Sequence, residues 1–147
     1  MITTWIIIFI VTLESVIKQV REQKSQFGEQ TPFLNDKLYL TKYHNKGALL
    51  NLGSKYSNYI KWLSMGLCGV CTAIYIITFG KKGKKLLQLG LAFLLGGAYS
   101  NTYDRMVRGY VIDYFGFRVK NERIRNIVFN ISDFCIMIGS VIGIFGL

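Results

Sequence analysis

Apolar residues run in long unbroken stretches along this chain, and polar residues gather between them. Met1 to Leu13 is almost wholly apolar, before Glu14 and Lys18 appear at i,i+4 spacing on one helix face. No basic segment precedes this run and no small-residue cleavage site follows it. The pattern therefore predicts an uncleaved helix of about 20 residues ending near Val20, not a signal peptide. Trp62 to Phe79 carries no charge and is long enough to span a membrane. Leu86 to Tyr103 is a third apolar run, interrupted by Gly90, Gly96 and Gly97. Ile127 to Leu147 is a fourth, with Asn130 and Asp133 about two turns from its start. Gly139 and Gly143 in that run make a GxxxG pattern suited to close helix packing.

These periods predict an all-α membrane protein with four transmembrane helices, residues 1–147 forming one integral-membrane domain. The helices are expected near 1–20, 60–80, 86–104 and 127–147, with loops over 21–59, 81–85 and 105–126. The run Lys37-Leu38-Tyr39-Leu40-Thr41-Lys42-Tyr43 alternates with period 2, so the first long loop has room for a short strand or hairpin arm. A loop of that length is expected to pack over something.

Composition supports a membrane protein. The chain has 147 residues, 51% of them hydrophobic, and a mean hydropathy of +0.31, too apolar for an ordinary soluble domain of this size. The formal net charge of +10 points to anionic membrane lipids as partners. No nucleic-acid-binding motif accompanies it. Cys68, Cys71 and Cys135 lie inside apolar runs. The Cys68/Cys71 pair has CxxC spacing but no second pair, and the only histidine, His44, is distant in sequence. They read as small apolar residues, and neither a metal nor a cofactor is expected.

Four helices of alternating direction place the Lys81–Lys85 loop and both termini on one side. The other side receives both long loops together with Glu14, Lys18, Asn101, Asp104, Asp113, Asn130 and Asp133. Scattered end charges would not segregate in this way. Four lysines in five residues make Lys81–Lys85 the densest short loop, which favours a cytoplasmic position for it.

Three aspartates fall between Gly96 and Asp133, at or near membrane depth, where an ionisable group costs roughly 2.5–3.5 kcal/mol. Asn101, Asp104 and Arg105 share a face of the third helix by i,i+3,i+4 spacing. Asn130 and Asp133 are i,i+3 on the fourth, and Asp113 sits in the loop between. Asp104 has a ready partner in adjacent Arg105 and reads as a structural ion pair. Asp113 and Asp133 lack an evident cation. Two carboxylates brought close at low dielectric share one proton, and such a pair can deprotonate a water and protonate a leaving nitrogen.

The blocks Asn101-Thr102-Tyr103-Asp104-Arg105, Gly109-Tyr110-Val111-Ile112-Asp113-Tyr114 and Phe129-Asn130-Ile131-Ser132-Asp133 resemble the N-x-x-D-R, G-x-V-x-D-F and F-N-x-A-D blocks of the lipoprotein signal peptidases, in the same order. Asn45-Lys46-Gly47-Ala48 resembles that family's N-x-G-A block, and Glu14 with Lys18 its D-x-x-x-K pair. The resemblance implies a four-helix aspartic peptidase of the bacterial cytoplasmic membrane, both termini cytoplasmic and the active site near the extracytoplasmic face. It implies action on prolipoproteins with a diacylglyceryl-modified cysteine, cut just before that cysteine, and the chain is expected to be a monomer. Asp113 and Asp133 would be the catalytic dyad. Asn101, Asp104 and Arg105 would hold its surroundings, Asn130 would orient a carboxylate or substrate carbonyl, and Asn45 would contact substrate backbone. The Arg21–Tyr59 loop would cover the substrate.

The chain departs from the family blocks at Glu14 (usually Asp), Leu49-Leu50 (commonly Ala-Phe), Ser100 (usually Gly) and Ser132 (usually Ala). None removes a group the chemistry needs. Simpler readings stand beside these: an interfacial ion pair for Glu14 and Lys18, a headgroup-binding loop for Arg118–Arg125, and interfacial anchors for Trp5, Trp62, Tyr99 and Tyr103. A non-enzymatic membrane scaffold of the same fold need not have kept both aspartates. A proton-coupled transporter would place its acids near the midplane rather than at one face.

Overall fold

A computed structural model describes residues 1–48 and 51–147, and every side chain among them except that of Arg123. The departure at Leu49-Leu50 lies outside the described residues. Four long helices dominate: α1 (Ile2–Lys24), α2 (Ser57–Thr78), α3 (Lys85–Val107) and α5 (Ile131–Phe145). A four-residue helix, α4 (Glu122–Arg125), lies between the last two. Four short strands, β1 (Thr31–Phe33), β2 (Leu38–Asn45), β3 (Val111–Phe117) and β4 (Val128–Phe129), form one antiparallel sheet in the order β1-β2-β3-β4.

Helix α3 is the centre of the bundle. Helices α1, α2 and α5 each pack on it, while α2 and α5 barely touch one another. The core at the far end is Tyr75 with Leu87, Leu91 and Leu95. The GxxxG expectation is met on α5. A Cβ on Gly139 would run into the backbone of Gly90 and Leu94, and one on Gly90 into that of Gly139 and Gly143. Absent side chains let α3 and α5 approach backbone to backbone.

Two helical segments, Ile2–Lys24 and Ser54–Thr78, are long and apolar enough to cross a membrane, with mean hydropathies of 1.5 and 1.7. Both are mostly exposed in the folded chain, so their apolar faces point outward rather than into a core. The fourth apolar run differs from expectation. Its helix begins at Ile131 rather than Ile127, because Val128 and Phe129 pair with Gly116 and Phe115 as β4. Its 15 residues are about 22 Å long at 1.5 Å per residue. Helix α1 also outlasts its expected end near Val20 and runs to Lys24. There the Glu22 carboxylate lies 3.0 Å from His44 Nε2 on β2, and the His44 ring stacks on Tyr110 at 3.8 Å.

The alternating run is a strand, as expected, and extends to Asn45. The β1–β2 hairpin turns through Leu34, Asn35 and Asp36, all at positive φ. Strand β2 pairs with β3 in register Tyr43↔Asp113, His44↔Ile112 and Asn45↔Val111, beyond a register shift between Leu40 and Tyr43. Asp113 is therefore on a strand, not in a loop. Pairing on both sides of β3 fixes its backbone, which a loop would leave free. Phe115, Phe117 and Phe129 from the sheet surround Phe134 of α5, with centroids of 5.7, 6.4 and 5.5 Å, so the sheet is bolted to the start of α5.

The segregation of polar residues also holds. At one end, Lys84 Nζ donates to the Leu147 carbonyl at 2.7 Å, and Tyr75 meets Thr3 and Thr4. At the other lie the sheet and every candidate site residue. Tyr99, expected as an interfacial anchor, instead hydrogen-bonds Thr72 across the α2–α3 interface at 2.5 Å. Arg118 and Arg125 are ion-paired on the surface with Asp36 and Glu122.

Candidate active site

The last turn of α3, strand β3 and the first turn of α5 converge beneath the sheet. Asp133 is the third residue of α5 and Asn130 its N-cap, so both stand in the helix's first turn rather than two turns in. They form a reciprocal capping box: Asp133 N–H donates to Asn130 Oδ1 at 3.0 Å, and Asn130 N–H donates to Asp133 Oδ2 at 3.1 Å. The same Asn130 donates its side-chain amide to Asp113 Oδ1 at 2.6 Å. One fully buried asparagine thus touches both carboxylates and sets how far apart they stand.

Each carboxylate has a further amide donor. Asn45 Nδ2 donates to Asp113 Oδ2 at 3.1 Å, and Asn101 Nδ2 donates to Asp133 Oδ1 at 2.9 Å. Asp113 is 1% exposed. Burial, and next the nearby Asp133 charge, push its carboxyl up from 3.8 to about 7, against the opposing pull of the Asn45 and Asn130 amides. Near neutral pH this group can both hold and release a proton.

A second polar layer lies behind the first, toward α1. Lys18 is 1% exposed and Glu14 fully buried, so they are not an interfacial pair. Lys18 Nζ sits 3.4 Å from Glu14 and 2.9 Å from Asp104, and donates to Ser100 Oγ at 2.9 Å and Asn101 Oδ1 at 2.8 Å. The last bond turns the Asn101 amide so that its NH2 faces Asp133. Asp104 does not pair with adjacent Arg105. Its carboxylate takes Lys18, Arg108 one helical turn on, and the Ile112 backbone N–H at 3.3 Å. Successive helix residues point in directions about 100° apart, so i,i+4 Arg108 can reach where Arg105 cannot.

Arg105 turns to the other side of α3. It donates to the Gly47 carbonyl at 3.0 Å and lines a cleft of about 310 Å³ with Asn45, Ser64, Asn101 and Asp133. Its buried Nε has no hydrogen-bond partner among the described residues. The N-x-G-A block accounts for the turn at Gly47: a Cβ there would collide with the backbone of Asn51 and Leu52, while Asn51 Oδ1 accepts from the N–H groups of Lys46 and Gly47. From Asp133 the cleft continues as an apolar trough of about 260 Å³ between α2 and α3, lined by Leu67, Cys68, Cys71, Leu94 and Ile136. A smaller cavity of about 70 Å³ reaches Asp113 from the sheet side, past Tyr43 and Asn126. Among the described residues no three His, Cys, Asp or Glu side chains group as metal ligands.

The site residues expected from sequence, Glu14, Lys18, Asn45, Asn101, Asp104, Arg105, Asp113, Asn130 and Asp133, all lie in this region, and Asn45 meets Asp113 directly. One residue was missed. Tyr114, beside Asp113, donates its hydroxyl to Glu14 at 2.5 Å and accepts the Ile131 N–H at 3.1 Å. The signal was present: a tyrosine stands where the G-x-V-x-D-F block ends in phenylalanine.

Two carboxylates, Asp113 buried and Asp133 half-buried, are bridged by amides beside an apolar trough in an outward-greasy bundle, an arrangement suited to aspartic-type hydrolysis in a membrane. Comparison with known proteins narrows the class. The family model for signal peptidase (SPase) II matches residues 6–147. A lipoprotein signal peptidase of Nostoc punctiforme is 36% identical over 138 residues, 93% of this chain and 84% of that one. One from Pseudomonas paraeruginosa is 32% identical over 139 residues, covering 93% and 82%. The chain belongs to the signal peptidase II family. Two solved bacterial membrane enzymes share its fold at 22% identity, with TM-scores of 0.80 and 0.77 over 97% of this chain and 85% and 90% of theirs.

Proposed function

We propose that this protein removes signal peptides from prolipoproteins whose cysteine carries a diacylglyceryl group, cutting just before that cysteine. The observation that carries the reading is Asn130, which holds Asp113 and Asp133 together at the head of an apolar trough. A hydrolytic water bound between the two carboxylates loses its proton to one as the other's proton goes to the leaving nitrogen. The attacking oxygen adds to the scissile carbonyl, and the C–N bond then breaks. No covalent intermediate forms. Arg105, lining the cleft beside Asp133, is placed to receive a substrate carbonyl, and Asn45 serves both Asp113 and the substrate backbone. The trough along Leu67, Leu94 and Ile136 suits the apolar signal peptide and the acyl chains.

In this reading residues 1–147 act as one domain and a monomer. Helices α1, α2, α3 and α5 all cross the bilayer, with Lys81–Lys85 and both termini in the cytoplasm and the sheet outside. The short α5, starting beneath the sheet, sinks the site below the outer headgroups. The region expected as the Arg21–Tyr59 loop covers the substrate, and the surface arginines 118 and 125 meet anionic headgroups.

The test is cleavage of a diacylglyceryl-modified prolipoprotein by purified protein in lipid. Wild type releases the signal peptide, and Asp113→Asn and Asp133→Asn, still folded, do not. A wild type inert on several lipidated prolipoproteins overturns the proposal.

A further inference from the structure

Glu14 is a fully buried carboxylate that never touches the proposed dyad, yet it reaches the neighbours of both members. Its Oε1 accepts from Tyr114, the residue after Asp113, at 2.5 Å. Its Oε2 accepts from Ser132, the residue before Asp133, at 2.8 Å. Burial, and next the Glu14 charge, push the Tyr114 phenol above its ordinary value, so it stays protonated and donates. The Tyr114 oxygen in turn accepts from the Ile131 N–H at the start of α5. The carboxylate also has Lys18 at 3.4 Å, so its charge is compensated.

All three residues differ from the family blocks they occupy, which carry Asp, Phe and Ala at these places. The differences are chemically matched. Glu14 is one methylene longer than Asp, and the two oxygens carried forward meet two hydroxyls that Phe and Ala would not supply. A hydroxyl without its carboxylate, or a buried carboxylate without its donors, would be left unsatisfied at a cost.

We propose that Glu14, Tyr114 and Ser132 are one interdependent set of positioning residues, a clasp from α1 that fixes the spacing of the two aspartates by holding the residue beside each. The inference rests on the dyad reading and adds to it a device particular to this chain. Its consequence is that replacing one member alone is worse than replacing all three.

The experiment is a mutant cycle of Glu14→Asp, Tyr114→Phe, Ser132→Ala and the triple variant, in purified protein in lipid. Each single variant lowers kcat about tenfold with KM changed less than about twofold, and the triple recovers to within about threefold of wild type, where independent sites would multiply to about a thousandfold loss. The dyad's proton is also followed without turnover, as the pH dependence of the thermal midpoint measured against Asp113→Asn. The single variants shift that dependence and the triple restores it. Multiplied losses, or a proton step unmoved in the single variants, overturn the clasp. Should a single variant not fold, the triple decides: folded and active supports the set, unfolded or inactive refutes it. A wild type that cuts no lipidated substrate defeats the assigned function but leaves the proton measurement to judge the clasp.

Discussion

The two ends of the bundle use the same four helices and handle polar groups differently. At the Lys81–Lys85 end the bonds are short-circuited in small sets: Tyr75 with Thr3 and Thr4, Lys84 with the Leu147 carbonyl, Gln88 with the Thr78 carbonyl. Breaking one leaves the others intact. At the sheet end the bonds form a continuous web. Glu14, Lys18, Asp104, Asn101, Asn130 and Asp113 are buried, Asp133 is half-buried beside them, and all seven are linked without interruption. Buried and connected polar groups share their satisfaction, so one loss propagates. The first end closes a bundle, whereas the second holds two carboxylates in a defined relation.

Substitutions test that contrast in descending order of effect. Asp113→Asn or Asp133→Asn is expected to lower kcat about 10⁴-fold, since each group moves a proton that an amide cannot. A cleavage assay on folded protein checks this. Lys18→Met leaves Glu14 and Asp104 buried without their shared cation and is expected to cost about 3–5 kcal/mol in thermal or denaturant unfolding. An equal cost from Lys84→Met would erase the contrast, because among the described residues that half-buried lysine's ammonium holds only the Leu147 carbonyl. Asn130→Ala removes the cap of α5 together with the bridge between the aspartates. The expected loss is about 2 kcal/mol of stability, with a fall in kcat larger than stability explains.

The pH response is smaller but discriminating. The folded state binds the Asp113 proton more tightly than the unfolded chain does, because its carboxyl lies at about 7 rather than 3.8. Its contribution to stability is therefore complete below pH 3.8 and is lost as pH rises through about 7. Asp113→Asn should flatten the dependence over that window, and wild-type turnover should fall above it as the shared proton leaves. At the opposite end, Tyr75→Phe is expected to cost under about 1 kcal/mol and leave kcat unchanged, as for single bonds between membrane helices.

Much of this was readable in one dimension because its determinants are local. Apolar runs mark helices whose outer faces have no protein to bury them. The i,i+3 spacing of Asn130 and Asp133 is the capping box itself, and the alternation that starts at Lys37 is strand β2 from Leu38 onward. The family blocks were legible because each is a short continuous stretch of chain, even where it crosses from a strand or turn into the next element, as residues 129–133 do between β4 and α5. Helix length failed where tertiary pairing intervened: Val128 and Phe129 are apolar enough to extend α5, yet β3 recruits them as a strand.

Partner choice was not legible. Asp104 beside Arg105 in sequence pairs with Lys18 and Arg108 in space, and Tyr114 looks like an aromatic strand residue until Glu14 is placed against it. Sequence by itself determined which residues lie at the sheet end, because hydropathy and helix period are properties of neighbours along the chain. Only the tertiary structure decided which carboxylate meets which donor. That choice depends on the rotation and approach of α1, α3 and α5 about one another, and side chains of glycine and serine size set that approach across long sequence separations.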